Sequence, residues 1–127
     1  MNLNLQLNFV TDIALMDFSK LRTDNVPDYE RPELIEVVNL DVMKVLNSLD
    51  NGRDFEREKF NLNNNMHELL KLVENGERII PPLIVHIHSN KWALIDGNHR
   101  FALINFLGIT NAPFLIRKAN KKAAINL

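Results

Sequence analysis

The chain opens on strict alternation: Leu3, Leu5, Leu7 and Phe9 repeat with period two, which predicts a half-buried strand over residues 3–10. Residues 12–21 have mixed periodicity and read as a connection, with Phe18 and Leu21 packed inward. Residues 22–30 are polar, contain Pro27 and read as a loop. Pro32 sits where a helix can begin. From there Ile35, Val38, Val42, Val45, Leu46 and Leu49 recur at three- and four-residue steps, predicting a helix to about Leu49 that Asp50-Asn51-Gly52 ends. Val37 and Leu40 fall off that face, so a strand over part of this segment is the competing reading.

Residues 51–64 are charged and Asn-rich, the pattern of a surface connection or a mobile loop. Met66, Leu69, Leu70 and Val73 mark an amphipathic helix with a capping Asn before it and Gly76 after it. Pro81-Pro82 opens a strand over 83–88, Ser89-Asn90 turns it, and 91–95 returns as a second strand. A short apolar helix over 101–107 closes at Gly108, residues 109–113 read as a loop, and 114–117 as a last strand. No internal repeat and no domain boundary interrupts residues 1–127, which read as one domain.

Between the hairpin and the apolar helix lies Asp96-Gly97-Asn98-His99-Arg100. A strand, a tight Asp-Gly turn and a helix start leave the first helical N–H groups without intrahelical partners, where the dipole adds partial positive charge. A phosphate suits that place. Asp96 caps or anchors the turn, and Gly97 lets a ligand approach the backbone. Asn98 is either an amide donor or a spacer. His99 is a phosphate ligand or general acid, against the plainer reading of a satisfied structural histidine. Arg100 offers a fork that fits phosphate, against the plainer reading of a salt bridge to a nearby carboxylate.

Composition narrows the partners. The 127 residues are 46% hydrophobic, enough for one core, and 15 basic residues against 16 acidic ones give a net charge of −1. A broad nucleic-acid face is thereby disfavoured. Arg117, Lys118, Lys121 and Lys122 form a local basic tail. The absence of cysteine excludes disulfides, thiolate metal sites and cysteine nucleophiles, and fits a cytoplasmic protein. No basic signal-peptide start and no apolar run near ~20 residues is present, so no membrane association is expected. Heavy Asn usage hints at an AT-rich source such as a phage or mobile element.

The series Pro81-Pro82-Leu83-Ile84-Val85, a hairpin, Leu94-Ile95-Asp96-Gly97-Asn98-His99-Arg100, Ala102, Leu107-Gly108 and Pro113-Phe114-Leu115-Ile116 resembles the ParB/sulfiredoxin-like superfamily. The match spans the signature region, residues 66–117, with a weaker echo at residues 16–22. The resemblance implies a single small α/β mixed-sheet domain, with 26–64 as a helical insertion. It implies a nucleotide- or phosphate-binding turn built by Asp96, Gly97, Asn98, His99 and Arg100, taking ATP, ADP or CTP with Mg²⁺. Members include NTP-hydrolysing DNA clamps, a free-serine kinase, sulfiredoxins and reported nucleases, so fold alone does not fix the reaction. Sulfiredoxins carry a cysteine where this chain has Asn98. Partition clamps add a helix-turn-helix domain that these residues do not include. The serine-kinase branch shares the histidine before the arginine.

Phosphoryl transfer needs a base and usually a magnesium ligand. The acidic loop offers Asp24, Asp28, Glu30 and Glu33, and the resemblance favours Asp24 as the catalytic partner of His99. Two other classes stand beside this NTPase or small-molecule kinase reading. One is a non-enzymatic DNA- or protein-binding regulator or immunity-type module, using the insertion or the basic tail. The other is a metal-dependent nuclease built from His86, His88 and His99, although no metal-ligand motif accompanies them.

Overall fold

The computed structural model describes residues 5–16, 32–89 and 91–127. Its centre is a four-stranded mixed sheet in the order β2-β6-β4-β5. Strand β2 is Ile35–Asp41, β4 is Leu83–His88, β5 is Lys91–Asp96 and β6 is Asn111–Arg117. Strands β2 and β6 pair antiparallel from Ile35↔Arg117 to Asp41↔Asn111, β4 and β5 form an antiparallel hairpin, and β4 meets β6 in parallel at Leu83↔Leu115. A separate two-stranded parallel ladder joins β1, Asn8–Phe9, to β3, Arg78–Ile79. The helices are α1, Val42–Ser48; α2, Asn64–Glu74; α3, Asn98–Phe106; and α4, Lys121–Ile125.

The expected helix from Pro32 to Leu49 is two elements. Ile35, Val37 and Val38 are β-branched and suit a pleated strand, and all seven residues of β2 pair with β6. Asp41 then ends the strand and caps α1, its Oδ1 accepting the N–H of Lys44 at 3.2 Å. This part of the stretch read as an insertion therefore supplies an edge strand of the main sheet and a core helix. Strand β6 also starts three residues earlier than expected. Pro113, which lacks an N–H, lies two residues ahead of the point where β4 joins at Leu115, where a missing ladder donor is tolerated.

The surface connection at 51–64 is partly structural. It contains 3₁₀ turns at Gly52–Phe55 and Arg57–Lys59. Phe55 is buried and meets Phe101 edge-on at 5.3 Å, while Phe60 stacks on Phe106 at 4.0 Å. At the N-terminus, Leu5, Leu7 and Phe9 are half-buried between exposed Gln6 and Asn8, as the alternation requires, although only two residues join a ladder. Phe18, Leu21, the polar loop 22–30 and most of the 16–22 echo lie outside the described residues.

Alternation sorts the sheet into two faces. Leu40, Ile84, Trp92, Phe114 and Ile116 pack with Val42, Val45 and Leu46 of α1, Phe101 and Ile104 of α3, and Ala124 of α4. Ile35, Leu83 and Leu115 point the other way and meet Met16. A third cluster joins Met66, Leu69, Leu70 and Val73 of α2 to Ile79 and to Leu103 of α3. Helix α3 thus packs into two clusters, which holds its N-terminus firmly against the end of β5. Among the described residues no helix is long and apolar enough to cross a membrane.

Candidate functional site

The signature turn sits where β5 ends. Register places Asp96 opposite Leu83, so the turn lies beside the Pro81-Pro82 segment that starts β4. Gly97 has φ +92°, and a Cβ there would stand 3.0 Å from the Pro82 Cα and 2.9 Å from Nη2 of Arg100. Both the conformation and the space demand glycine.

Helix α3 begins immediately after. Its first backbone bond runs from the N–H of Phe101 to the carbonyl of Gly97 at 2.8 Å. The N–H groups of Asn98, His99 and Arg100 therefore precede the intrahelical ladder. Gly97 has no side chain to cap them, whereas α1 and α2 are capped by Asp41 and Asn63. The first turn of α3 opens on a cleft of about 220 Å³ lined by Asn65, Ile95, Asp96, Gly97, Asn98, His99 and Arg100.

Arg100 does not extend freely into that cleft. Its Nη1 donates to the carbonyl of Ile80 at 2.6 Å and its Nη2 to Oδ2 of Asp96 at 3.1 Å. Both side chains of the ion pair are only 16% exposed. The salt bridge weighed as the plainer reading is present, and it ties the turn to the Ile80–Pro82 segment. A guanidinium has five N–H donors, and these two bonds leave the rest of a rigidly held fork at the cleft wall.

His99 is half-buried, and its Nε2 lies 3.5 Å from Nδ2 of Asn63. Asn98 is exposed at the cleft. Asn63 and Asn65 are the residues that sequence reasoning passed over. They stand at the N-terminus of α2, and their only signal was the Asn run before an amphipathic helix, read as a cap. Packing of α2 on α3 through Leu103 carries them to the turn.

The other candidates fall elsewhere. Asp24, Asp28 and Glu30 lie outside the described residues. Glu33 is exposed just before β2, and β2 and β5 are opposite edges of the sheet. Three strand spacings of ~4.8 Å separate those edges. His86 pairs with Trp92, toward the end of the hairpin away from Asp96, and its ring contacts the Ser89 carbonyl and the Trp92 ring. A register shift between His86 and His88 interrupts the regular alternation of the strand there. His86, His88 and His99 are not brought together, and no group of three or more His, Cys, Asp or Glu among the described residues can hold a metal ion.

The hairpin end of the molecule has its own relief. A cleft of about 380 Å³ is lined by Lys44, Asn47, Ser48, Ser89, Trp92, Ala123, Asn126 and Leu127. Lys118, Lys121 and Lys122 border a second one, which shares Asn126 with the first. Lys121 pairs with Glu36 at 3.3 Å. Trp92 and Phe101 are 1% and 0% exposed, which makes them core rather than stacking surfaces.

The family model of the ParB N-terminal domain matches residues 30–127. No curated protein and no solved structure matches the chain significantly.

Proposed function

The chain belongs to the ParB N-terminal domain family, and we propose that its Asp96–Arg100 turn binds the phosphate groups of a nucleotide. The observation that carries this reading is the uncapped N-terminus of α3 opening on a small polar cleft. Three backbone N–H groups, the helix dipole and the anchored Arg100 converge on it, which is how helix N-termini hold anions. At about 220 Å³ the cleft fits phosphoryl groups and is smaller than the ~300–1,000 Å³ of a site enclosing a whole drug-sized ligand. The base and ribose lie outside it.

Asp96 belongs to this design. A bare carboxylate beside an anion site repels the ligand, and the Arg100 ion pair offsets that charge. Magnesium keeps several waters and uses one or two carboxylates with substrate phosphates. Asp96 is the carboxylate lining the cleft among the described residues, so magnesium would enter with the nucleotide. It would there shield phosphate charge. Transfer or hydrolysis of the bound phosphate, by a kinase or NTPase, adds a base to this binding site. Asp24 is the residue the resemblance names for that base, and His99 lines the cleft as phosphate ligand or general acid.

The test is a thermal-shift and affinity panel with ATP, ADP, CTP and GTP, with and without Mg²⁺. Ligand at one hundred times its Kd stabilises a fold by ~2.7 kcal/mol, a shift of several degrees. His99→Ala and Asn65→Ala are expected to keep the parent melting temperature and to weaken binding roughly tenfold or more, the worth of one hydrogen bond to a charged group. No shift with any nucleotide overturns the proposal.

A second reading rests on α4. The clefts beside it carry Lys44, Lys118 and Lys122 with Asn47, Ser89 and Asn126, and among the described residues no acidic one lines them. Lysine mixed with Asn and Ser is the usual set for nucleic-acid phosphates. Nucleic-acid binding here would be weak, non-specific and steeply salt-dependent.

A further inference from the structure

Asn63 makes two contacts with one amide. Its Oδ1 accepts the N–H of Met66 at 2.9 Å and caps α2. Its Nδ2 stands 3.5 Å from Nε2 of His99 on the neighbouring helix. The two ends of an Asn amide are ordinarily hard to tell apart. Here the cap decides, because only the oxygen can accept from an N–H. The amide therefore presents its donor to the imidazole.

A donor needs an acceptor. Nε2 meets that need only when it carries its lone pair, and the proton of the neutral ring then sits on Nδ1. We infer that Asn63 is a positioning residue for His99: it selects the Nδ1–H tautomer and links the N-terminus of α2 to that of α3 beside the cleft. The functional meaning of this rests on the phosphate reading of the turn, but the tautomer itself does not. With Nε2 engaged, Nδ1–H is the ring's one donor, and a donor is what a phosphate oxygen can use. In the opposite tautomer the Asn63 donor would face an N–H, and the contact would be lost.

The 3.5 Å separation is long for a full hydrogen bond, so tautomer selection is the property to measure. Long-range ¹H–¹⁵N NMR of the His99 ring, at a pH where it is neutral, reads which nitrogen carries the proton. The parent is expected to show Nδ1–H. Asn63→Ser keeps a good N-cap but cannot reach His99, and is expected to give mixed tautomers. Asn63→Asp also keeps the cap but turns an acceptor toward Nε2, and is expected to move the proton there. Both variants should melt as the parent does, and Asn63→Ser should bind ATP·Mg²⁺ about three- to tenfold more weakly. A parent ring protonated on Nε2, or one tautomer shared by parent and both variants, overturns the inference. Nδ1–H in the parent and its loss in both variants, without any ATP or inorganic phosphate binding by the parent, upholds the positioning role and overturns the phosphate site.

Discussion

At the scale of single residues the turn depends on two contacts. Gly97 occupies a left-handed conformation pressed against the Pro82 Cα. Gly97→Ala is expected to cost about 1–3 kcal/mol, measured by urea denaturation, since strain at positive φ adds to the close approach. Arg100→Ala removes the partner of a carboxylate that is only 16% exposed. Stranding one charge of a buried pair costs roughly 3–5 kcal/mol, and the residual exposure brings the expectation to about 2–4 kcal/mol. Adding Asp96→Ala should recover part of this loss, because the stranded charge is gone, and a double-mutant cycle reads the coupling. The turn itself was legible in the sequence: an Asp-Gly pair between an apolar strand and an apolar helix has few other uses. The inward anchoring of Arg100 was not. Its closest partner is the backbone carbonyl of Ile80, twenty residues upstream, and a carbonyl leaves no mark in a sequence.

At the scale of elements, α2, the β4–β5 hairpin and α3 follow from periodicity and from their bounding Asn, Pro and Gly residues. The segment from Ile35 to Leu49 misleads because a strand and a helix follow each other without a break. Val38 of β2 and Val42 at the start of α1 pack into one core cluster four residues apart, so their spacing imitates a helical stripe. Asp41, the cap of α1, is the residue that marks the boundary. Strand β6 lies between β2 and β4 and carries Phe114, Leu115 and Ile116, all 0% exposed. Native-state hydrogen exchange should find the amides of these residues among the slowest, and those of the short β1–β3 ladder faster. Phe114→Ala should cost about 3–5 kcal/mol, the usual range for emptying an aromatic site in a core.

For the whole molecule, the hairpin separates two ends of different character. One holds the signature turn with its compensated Asp96–Arg100 pair. The other holds α4 with exposed Lys118 and Lys122 and the two clefts beside it. The net charge of −1 conceals this division. If the α4 end touches nucleic-acid backbone through two or three lysines, the affinity for duplex DNA should fall with salt at a log–log slope of roughly −2 to −3. Lys118→Glu with Lys122→Glu should abolish that binding and leave nucleotide binding at the turn unchanged. A slope near zero removes the second reading. Composition showed the basic tail but not its surroundings, since Lys44, Asn47 and Ser89 reach it only through the packing of α1 and the hairpin.

The phosphate site is tested most directly by a ¹H–¹⁵N titration of the labelled chain with ATP·Mg²⁺, followed amide by amide. The account predicts that the backbone N–H groups of Asn98, His99 and Arg100 shift most and saturate together, with the Asn65 side-chain amide following. An unchanged spectrum, or shifts confined to the residues around Ser89, Lys118 and Lys122, would contradict it.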